Sequence, residues 1–294
     1  MNRVSVVIIN YNGKKYLKRL ADSLNEQGVP YDEVVVVDNN SCDKGYEILL
    51  GKLRNVIYIF NEENKGFPAA VNQGVSNASN DNIILLNNDI YLNSDFIKTV
   101  VQVLKREENC FYAPLVLDYN GDEIDSAGDL YDIQIKPVKR YSGLKVDKCD
   151  LKEEEVDGFS MSACFFKKSK FIDNGSMDEA FRMYFEDVDF SMRARKNGYK
   201  VVFIPNAVAY HKVSASTKEE YNSVYSPLKV FYESRNRVFL LKKHYFNHKF
   251  FIVFAPFLYG TCTSVLFHLT NTGYFLEYLK GFIYGVVGKA AVEK

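Results

Sequence analysis

Four short aliphatic runs, separated by amphipathic stretches, constrain the first 110 residues of this chain more than any other feature. VSVVIIN (4–10), DEVVVVDNN (32–40), NVIYIFN (55–61) and NIILLNND (82–89) have the length and Val/Ile/Leu content of strands. Between and after them, KKYLKRLADSLNEQ, CDKGYEILLGKL, FPAAVNQGVSNA and SDFIKTVVQVLKREEN carry helical periodicity, with Asn93 or Ser94 as the cap of the last. Strands that are apolar on both faces are covered on both faces. Strand–helix alternation of this kind predicts a doubly wound, Rossmann-like α/β fold with a mostly parallel sheet.

In an open α/β sheet, ligands bind outside the carboxyl ends of the strands. The first predicted strand ends at Asn10-Tyr11-Asn12 and the second at Asp38-Asn39-Asn40. The third ends at Asn61, leading into NKGF, and the fourth at Asn87-Asn88-Asp89. Asn and Asp are also good turn and cap residues, which accounts for any one of these ends. Four on one sheet edge read as a site.

Residues 111–160 are less regular, punctuated by Gly121, Gly128 and Gly143. Order resumes with FSMSACFFKKSKFI, a strand running into a short helix, and FEDVDFSMRARKNG, a helix with Gly198 past its end. YKVVFIP is a strand closed by Pro205, and His211 follows in AVAYHKVSAS. In FEDVDF, Glu186 and Asp189 share a helix face and Asp187 points elsewhere. Acids at a helix start complement its dipole. The interleaved Phe185, Val188 and Phe190 imply partial burial, and a buried carboxylate needs a metal, a proton-transfer role or a hydrogen-bond partner.

The whole chain has no net charge, which argues against a dedicated nucleic-acid binder. From Leu228 onward, however, nine Lys/Arg face three Glu, a net of +6. That tail holds a helical stretch at 226–246, then FFIVFAPFLYGTCTSVLFHL, which has no formal charge apart from His268, then GYFLEYLKGFIYGVVG. Basic residues beside apolar and aromatic ones favour a membrane surface; a packed helical subdomain and a membrane span are the alternatives. The five cysteines are scattered without a CxxC pair, as in a reduced, cytoplasmic chain. VSVVII is too short to be a signal-peptide core.

No GxGxxG follows the first strand, and there is no GxxxxGK[ST], HExxH or GxSxG, so dinucleotide, phosphate-loop, zincin and hydrolase chemistries lack their signatures. What the chain does resemble is the inverting glycosyltransferases of family 2, which have a GT-A fold. VSVVIINYNG, VVVVDNNSCD, NKGFPAAVNQG, ILLNNDIYL, GSMDEAFRMYFEDVDFSMRARKNGYK and AYHKVSAS carry the likeness, in the expected order, over roughly residues 3–216. The NND form, the ED segment and the later His look most like a rhamnosyltransferase-like branch that builds bacterial surface polysaccharides.

The resemblance implies a glycosyltransferase domain over 1–216, with 1–110 as its nucleotide-sugar half and 111–216 as its acceptor and catalytic half. Residues 217–294 would then be a helical, membrane-associating region. It puts Tyr11 against the nucleotide base, with Asn10 and Asn12 shaping that loop, and Asp38, beside Asn40, accepting from a pyrimidine. Asn64, Gly66 and Asn72 would border nucleotide and sugar, and Asn88 the ribose or diphosphate. Asp89 and His211 would hold a divalent metal, Mg2+ or Mn2+. Asp187 would be the catalytic base and Glu186 would shape the acceptor side. Asn87 stands where relatives often place a second carboxylate, which leaves metal affinity dependent on the diphosphate. The implied donor is a nucleoside diphosphate sugar, TDP-rhamnose or alternatively a UDP-hexose or UDP-N-acetylhexosamine. The implied acceptor is lipid-linked or polysaccharide, at the inner face of the membrane, with a homodimer as a further candidate partner. A sugar-1-phosphate nucleotidyltransferase would carry a glycine-rich basic loop where this chain has NYNGKKYL. An inactive glycan-binding scaffold would have no reason to keep Asp38, Asp89, Asp187 and His211.

Overall fold

The structure is a computed structural model in which residues 3–106, 108–131, 137–212, 226–245, Thr261 and 272–288 are described. The four expected strands form as β1 (Val4–Asn10), β2 (Glu33–Asp38), β3 (Val56–Phe60) and β4 (Asn82–Asn87). The helices between and after them are α1 (Lys14–Asn25), α2 (Tyr46–Lys52), α3 (Phe67–Asn77) and α4 (Phe96–Leu104), with a short strand β5 (Ile90–Leu92) before α4. Then come β6 (Cys110–Asp118), β7 (Ile124–Ser126), β8 (Asp129–Tyr131), β9 (Pro137–Lys139), β10 (Glu154–Val156) and β11 (Ala163–Lys167). The last elements are α5 (Lys168–Asp173), α6 (Glu186–Lys196), β12 (Lys200–His211), α7 (Pro227–Tyr245) and α8 (Thr272–Val287).

A ten-stranded sheet runs β10-β12-β6-β11-β4-β1-β2-β3, with β5 on β12 and β7 on β6, while β8 and β9 pair separately. Strands β1 to β4 are mutually parallel, as are β6 and β12, and β11 enters antiparallel between the two groups. The sheet is therefore mixed, with its parallel strands in the majority. Side chains alternate along β1: Val6 and Ile8 join the core under α1 and α4, Val7 and Ile9 the core under α3 and α6. All four are buried, each stabilising the fold by about 1.5–3 kcal/mol. That two-sided burial is why the sequence reads as unbroken apolar runs.

Three local expectations are corrected. Helix α4 has Asp95 at its cap position with no side-chain cap bond; Asn93 instead accepts the Asp95 N–H through its side chain at 3.1 Å. Pro205 does not close its strand, because β12 continues to His211 through an irregularity between Ile204 and Val208, which accommodates a residue with no N–H to give. The irregular stretch after residue 110 opens with the nine-residue strand β6. Pro114 lies inside it, aligned with Ile204, while β6 meets β11 only at Tyr112 opposite Phe165, so no ladder bond is demanded on that side.

The tail is docked, at least through α7. Phe181, Val188, Val238, Leu240 and Leu241 form a third core between α7 and the start of α6. Asp189, fully buried, receives Arg193 Nε at 2.8 Å, Lys243 Nζ at 2.9 Å and His244 Nε2 at 2.8 Å. Burial alone would raise its pKa, but His244, Arg193 and Lys243 outweigh that and hold it at about 2. Helix α8 lies close on α7: a methyl on Gly281 would meet Ser234 Oγ at 2.1 Å, and one on Gly285 the Arg235 carbonyl at 2.7 Å. The expected boundary at 216 and the apolar run from 250 to 269, Thr261 aside, lie outside the described residues. Among the described residues no helix is long and apolar enough to cross a membrane.

Asp189→Asn should lower stability by roughly 3 kcal/mol, because it leaves buried cations without their counter-charge. In the parent chain this carboxylate should contribute about 2 kcal/mol above pH 4, lost as the pH falls through 2. Urea unfolding at pH 7 and acid titration of both proteins check the two figures; equal midpoints would remove the ion cluster as a fastener.

Candidate active site

The parallel register brings the polar strand ends together: Asn10 lies opposite Asp38, and Ile9 opposite Asn87. Asp38 is buried and already accepts three bonds. Ser41 N–H reaches its Oδ1 at 2.6 Å, and Asn10 Nδ2 (2.7 Å) and Tyr58 OH (3.1 Å) reach its Oδ2. A carboxylate has about four acceptor directions, so one stays open to a ligand. Burial and the Asp38 charge push the Tyr58 hydroxyl well up, so it stays a donor. Asn88 donates to Asn10 Oδ1 at 3.0 Å and to the Tyr11 carbonyl at 3.1 Å. Gly13 must be glycine there, since a methyl would sit 2.2 Å from Asn88 Nδ2. Asn12 and Asn40 both take left-handed backbone, a conformation asparagine tolerates better than most residues. Asn12 Oδ1 caps the Cys42 N–H at 2.9 Å, and Tyr11 is 42 % exposed over this surface.

Asn39 and Asn61, absent from the expected site residues, organise the next loop. Asn39 Nδ2 donates to Asn64 Oδ1 (2.8 Å) and the Gly66 carbonyl (3.2 Å), while its Oδ1 accepts from Lys65 N–H (3.0 Å) and Asn61 Nδ2 (3.1 Å). Asn39 is buried, and all four bonds are what a buried amide needs. The neighbouring cleft, lined by Phe60, Asn61, Glu62, Lys65 and Gln73, has a volume of about 550 Å³. Asn72 is turned elsewhere: its amide is engaged by the Met177 backbone in both directions and by Glu179. It ties α3 to the chain entering α6.

At the end of β4, Asp89 is buried, and its Oδ1 has no hydrogen-bond partner among the described residues; neither has Asn87 Oδ1. His211 Nε2 lies 3.5 Å from Asp89 Oδ1, and His211 Nδ1 lies 2.9 Å from Asp125 Oδ2. Lys139 Nζ then donates to Asp125 Oδ1 at 2.8 Å. Burial would lower the His211 pKa, but Asp125 and Asp89 on its two sides hold it up at about 9. Burial would raise Asp125, and His211 and Lys139 bring it below the usual carboxylate range. Asp125 was not foreseen, since a lone acid in a three-residue strand gives no periodic signal. Among the described residues no group of three His, Cys, Asp or Glu is arranged as a closed metal cage. Asp89 Oδ1 and, once His211 gives up its proton, the imidazole Nε2 3.5 Å away are two donors of the kind a hard divalent cation takes, with ligand oxygens supplying the rest.

The second half of the site is the start of α6. Burial raises the pKa of both Glu186 and Asp187, and the Asp187 charge raises Glu186 further. Val188 N–H donates to Asp187 Oδ1 at 2.8 Å, and Glu186 Oε2 has no partner among the described residues. Asp129, also unforeseen, is buried beside them and is pushed up to about 7 by burial and by Asp187. Glu186 and Asp189, expected on one helix face, have different surroundings: Glu186 feels the Asp187 charge, and Asp189 faces α7. Lys139 lowers both Asp187 and Asp129 electrostatically. A continuous chain of contacts therefore runs Asp89–His211–Asp125–Lys139, and the Lys139 charge acts on Asp187 from its end.

Comparison with known proteins identifies the family and the fold. Residues 5–175 match the family described as Glycosyl transferase family 2. The chain is 23% identical to the low-salt glycan biosynthesis hexosyltransferase Agl10 of Haloferax volcanii, over 68% of this chain and 64% of that protein. It therefore spans just under two thirds of that relative's length. It is 24% identical to the N-acetylglucosaminyl-diphospho-decaprenol L-rhamnosyltransferase of Mycobacterium tuberculosis, over 72% of this chain and 76% of the relative. Among solved structures, S. aureus TarS 1-349 in complex with UDP-GlcNAc superposes with a TM-score of 0.63 at 18% identity, covering 97% of this chain and 81% of TarS. The Pyrobaculum calidifontis mannosyltransferase PcManGT, in complex with GDP-Man and Mn2+, gives a TM-score of 0.57 at 16% identity, over 98% and 76%. These superpositions establish a shared GT-A fold.

Proposed function

This chain belongs to glycosyl transferase family 2, and from that membership we propose that it is an inverting transferase. It moves a sugar from a nucleoside diphosphate sugar to a lipid-linked or polysaccharide acceptor in surface-glycan assembly. The observation that carries this reading is the contact chain Asp89–His211–Asp125–Lys139, a cation-compatible corner whose lysine charge also acts on Asp187, next to the buried Glu186 at the head of α6. The name of the mycobacterial relative supports a rhamnosyl donor such as TDP-rhamnose and a diphosphate-lipid acceptor. The UDP-GlcNAc held by TarS supports the second reading, a UDP-N-acetylhexosamine or UDP-hexose donor.

In this proposal the nucleotide lies over Tyr11, with Asn10, Asn12, Asp38 and Asn40 around the base. Asn64 and Gly66, with Asn72 behind them, border the sugar side, and Asn88 the ribose or diphosphate. Asp89 and His211 hold Mg2+ or Mn2+, which when bound supplies positive charge against the charge developing on the departing diphosphate. Asp187 takes the proton of the acceptor hydroxyl as its oxygen bonds the anomeric carbon and the bond to the diphosphate breaks. Glu186, whose pKa is raised further than that of Asp187 by the same charge pair, stays protonated and lines the acceptor side. The catalytic domain would cover 1–216, halved near 110. Residues 217–294 would be the membrane-associating part, at the inner face of the membrane. Leu276, Leu279, Ile283, Val286 and Val287 support that location, as a stripe exposed along α8 at helical spacing in a tail of net charge +6.

Asp187→Asn should bind nucleoside diphosphate normally and lose transfer by at least about 100-fold. Because the base works deprotonated and its pKa is raised, parent kcat should fall on acidification at a pH above the ordinary aspartate value of about 4. Full turnover in the variant would overturn the base assignment. Calorimetric titration of UDP and TDP should show tighter binding with Mn2+ in the parent and no Mn2+ effect in Asp89→Asn; a parent indifferent to Mn2+ would remove the metal from the scheme. Replacing Leu276 and Ile283 by Glu should reduce sedimentation of the protein with phosphatidylglycerol vesicles several-fold, and unchanged sedimentation would return α8 to a role in packing alone.

A further inference from the structure

We propose that Asn236, on α7, is a positioning residue for the reaction: it holds the turn at 181–185 that presents Glu186 and Asp187. This rests on the functional reading above and extends it to a part of the tail that touches neither substrate nor metal.

The turn is unusual in its backbone. Arg182, Tyr184 and Phe185 have φ of 61°, 64° and 66°, and Phe185, in left-handed conformation, is the residue before the first turn of α6. Bulky residues rarely adopt this conformation, and they keep it only where the surroundings over-determine it. Within the turn the Phe185 carbonyl accepts the Asp189 N–H of α6 at 2.9 Å, whereas the Met183 and Tyr184 carbonyls, which precede the helix, need another donor. Asn236 meets them. It is completely buried, and its Nδ2 lies 2.9 Å from the Phe181 carbonyl, 2.8 Å from that of Met183 and 2.7 Å from that of Tyr184. Its two hydrogens are shared among three acceptors, and its Oδ1 has no partner among the described residues. A buried asparagine in mid-helix weakens the helix that carries it, so this amide is present for the turn rather than for α7. The adjacent Arg235 Nη2 donates to the Ala180 carbonyl, extending the grip by one residue.

The same turn also touches the nucleotide-sugar loop. Phe67 N–H donates to the Arg182 carbonyl at 2.8 Å, and Arg182 Nη2 donates to the Asn64 carbonyl at 2.9 Å. A methyl on Gly66 would lie 2.6 Å from the Arg182 carbonyl, so the two loops are in van der Waals contact. Asn236 thus fixes the acids at the head of α6 relative to the loop proposed to border the donor sugar. Reacting groups misplaced by about 1 Å can lose about 100-fold in rate.

The test uses the full-length chain with Mn2+ and follows nucleoside diphosphate released from TDP-rhamnose, UDP-glucose or UDP-N-acetylglucosamine, whichever turns over. Asn236→Leu should lower kcat by about 100-fold, keep the UDP or TDP dissociation constant within about two-fold, and speed amide exchange at 182–188 above other buried segments. It should also move the acid limb of kcat to lower pH, because a loosened turn admits water to Asp187. Adding Tyr184→Gly, which accepts positive φ without a clamp, should restore roughly ten-fold of the loss. Asn236→Ser, with one donor in place of two, is read in the same way if the leucine variant does not fold. Wild-type kcat in the folded variant, with Asp187→Asn inactive, would overturn this proposal alone. A kcat loss matched by weaker nucleotide binding, or one that Tyr184→Gly does not relieve, would overturn it too. An active Asp187→Asn would overturn the base assignment, and this proposal with it.

Discussion

Buried amides need partners, and at the carboxyl edge of this sheet they find one another. Side-chain hydrogen bonds of 2.7–3.1 Å link Asn10, Asp38 and Asn88 in one set and Asn39, Asn61 and Asn64 in another; the Asn39 and Asn61 N–H groups join the sets through the Asn10 and Asp38 carbonyls, and the β1–β2 and β2–β3 registers set Asn10, Asp38 and Phe60 side by side. A partly satisfied network of this kind would cost more than an apolar edge. Once complete, it fixes the loops to which it belongs and leaves only selected atoms open: the remaining acceptor direction on Asp38 and the orphaned oxygens of Asn87 and Asp89. The strand interiors supply the stability that makes such an edge tolerable, with β1, β2 and β4 covered on both faces.

That division explains what could be read from the sequence. Val/Ile/Leu runs depend on neighbours only in being covered, so VSVVIIN, EVVVVD and NIILLN announced β1, β2 and β4 directly. The polar residues closing those strands were visible because they interrupt an apolar pattern. Residues whose role is to meet a distant backbone leave no such mark. Asn39 bonds to residues more than twenty positions away, Asp125 reaches His211 across 86 positions, and Asn236 reaches a turn more than fifty positions earlier. Gly121, Gly128 and Gly143 marked the stretch after 110 as irregular, but β6 comes before all three, and its Pro114 is placed where the pairing pattern requires no N–H.

The tail shows the same limit at a larger scale. Composition marked it as basic and apolar, which suits a membrane surface, and the exposed stripe on α8 keeps that property. It did not reveal that α7 turns Ser234, Arg235, Asn236 and His244 inward, or that Gly281 and Gly285 bring α8 within backbone contact of it. A helix with buried polar groups has a low amphipathic contrast, so its inner face cannot be told from its outer face by periodicity. Helix α7 is therefore packed on α8 along one side and bonded to the turn before α6 along the other.

The three acids at that head separate by environment alone. A helix N-terminus favours carboxylates by at most about 2 kcal/mol, or roughly 1.5 pK units, and all three sit in the first turn of α6. Desolvation acts in the opposite sense, by up to about 3–5 units at a fully buried group; it outweighs the dipole at the buried Glu186 and the half-buried Asp187, and both rise. Asp189 is fully buried, yet falls to about 2, because His244, Arg193 and Lys243 all reach it within 2.9 Å. Of the two that rise, Asp187 accepts the Val188 N–H at 2.8 Å, which stabilises its charged form, while Glu186 carries the added repulsion of the Asp187 charge. Glu186 therefore holds the proton first. The pair is left with one ionised and one neutral carboxyl over a pH range reaching above the ordinary one, a state suited to general-base chemistry that neither acid would reach at an exposed helix end.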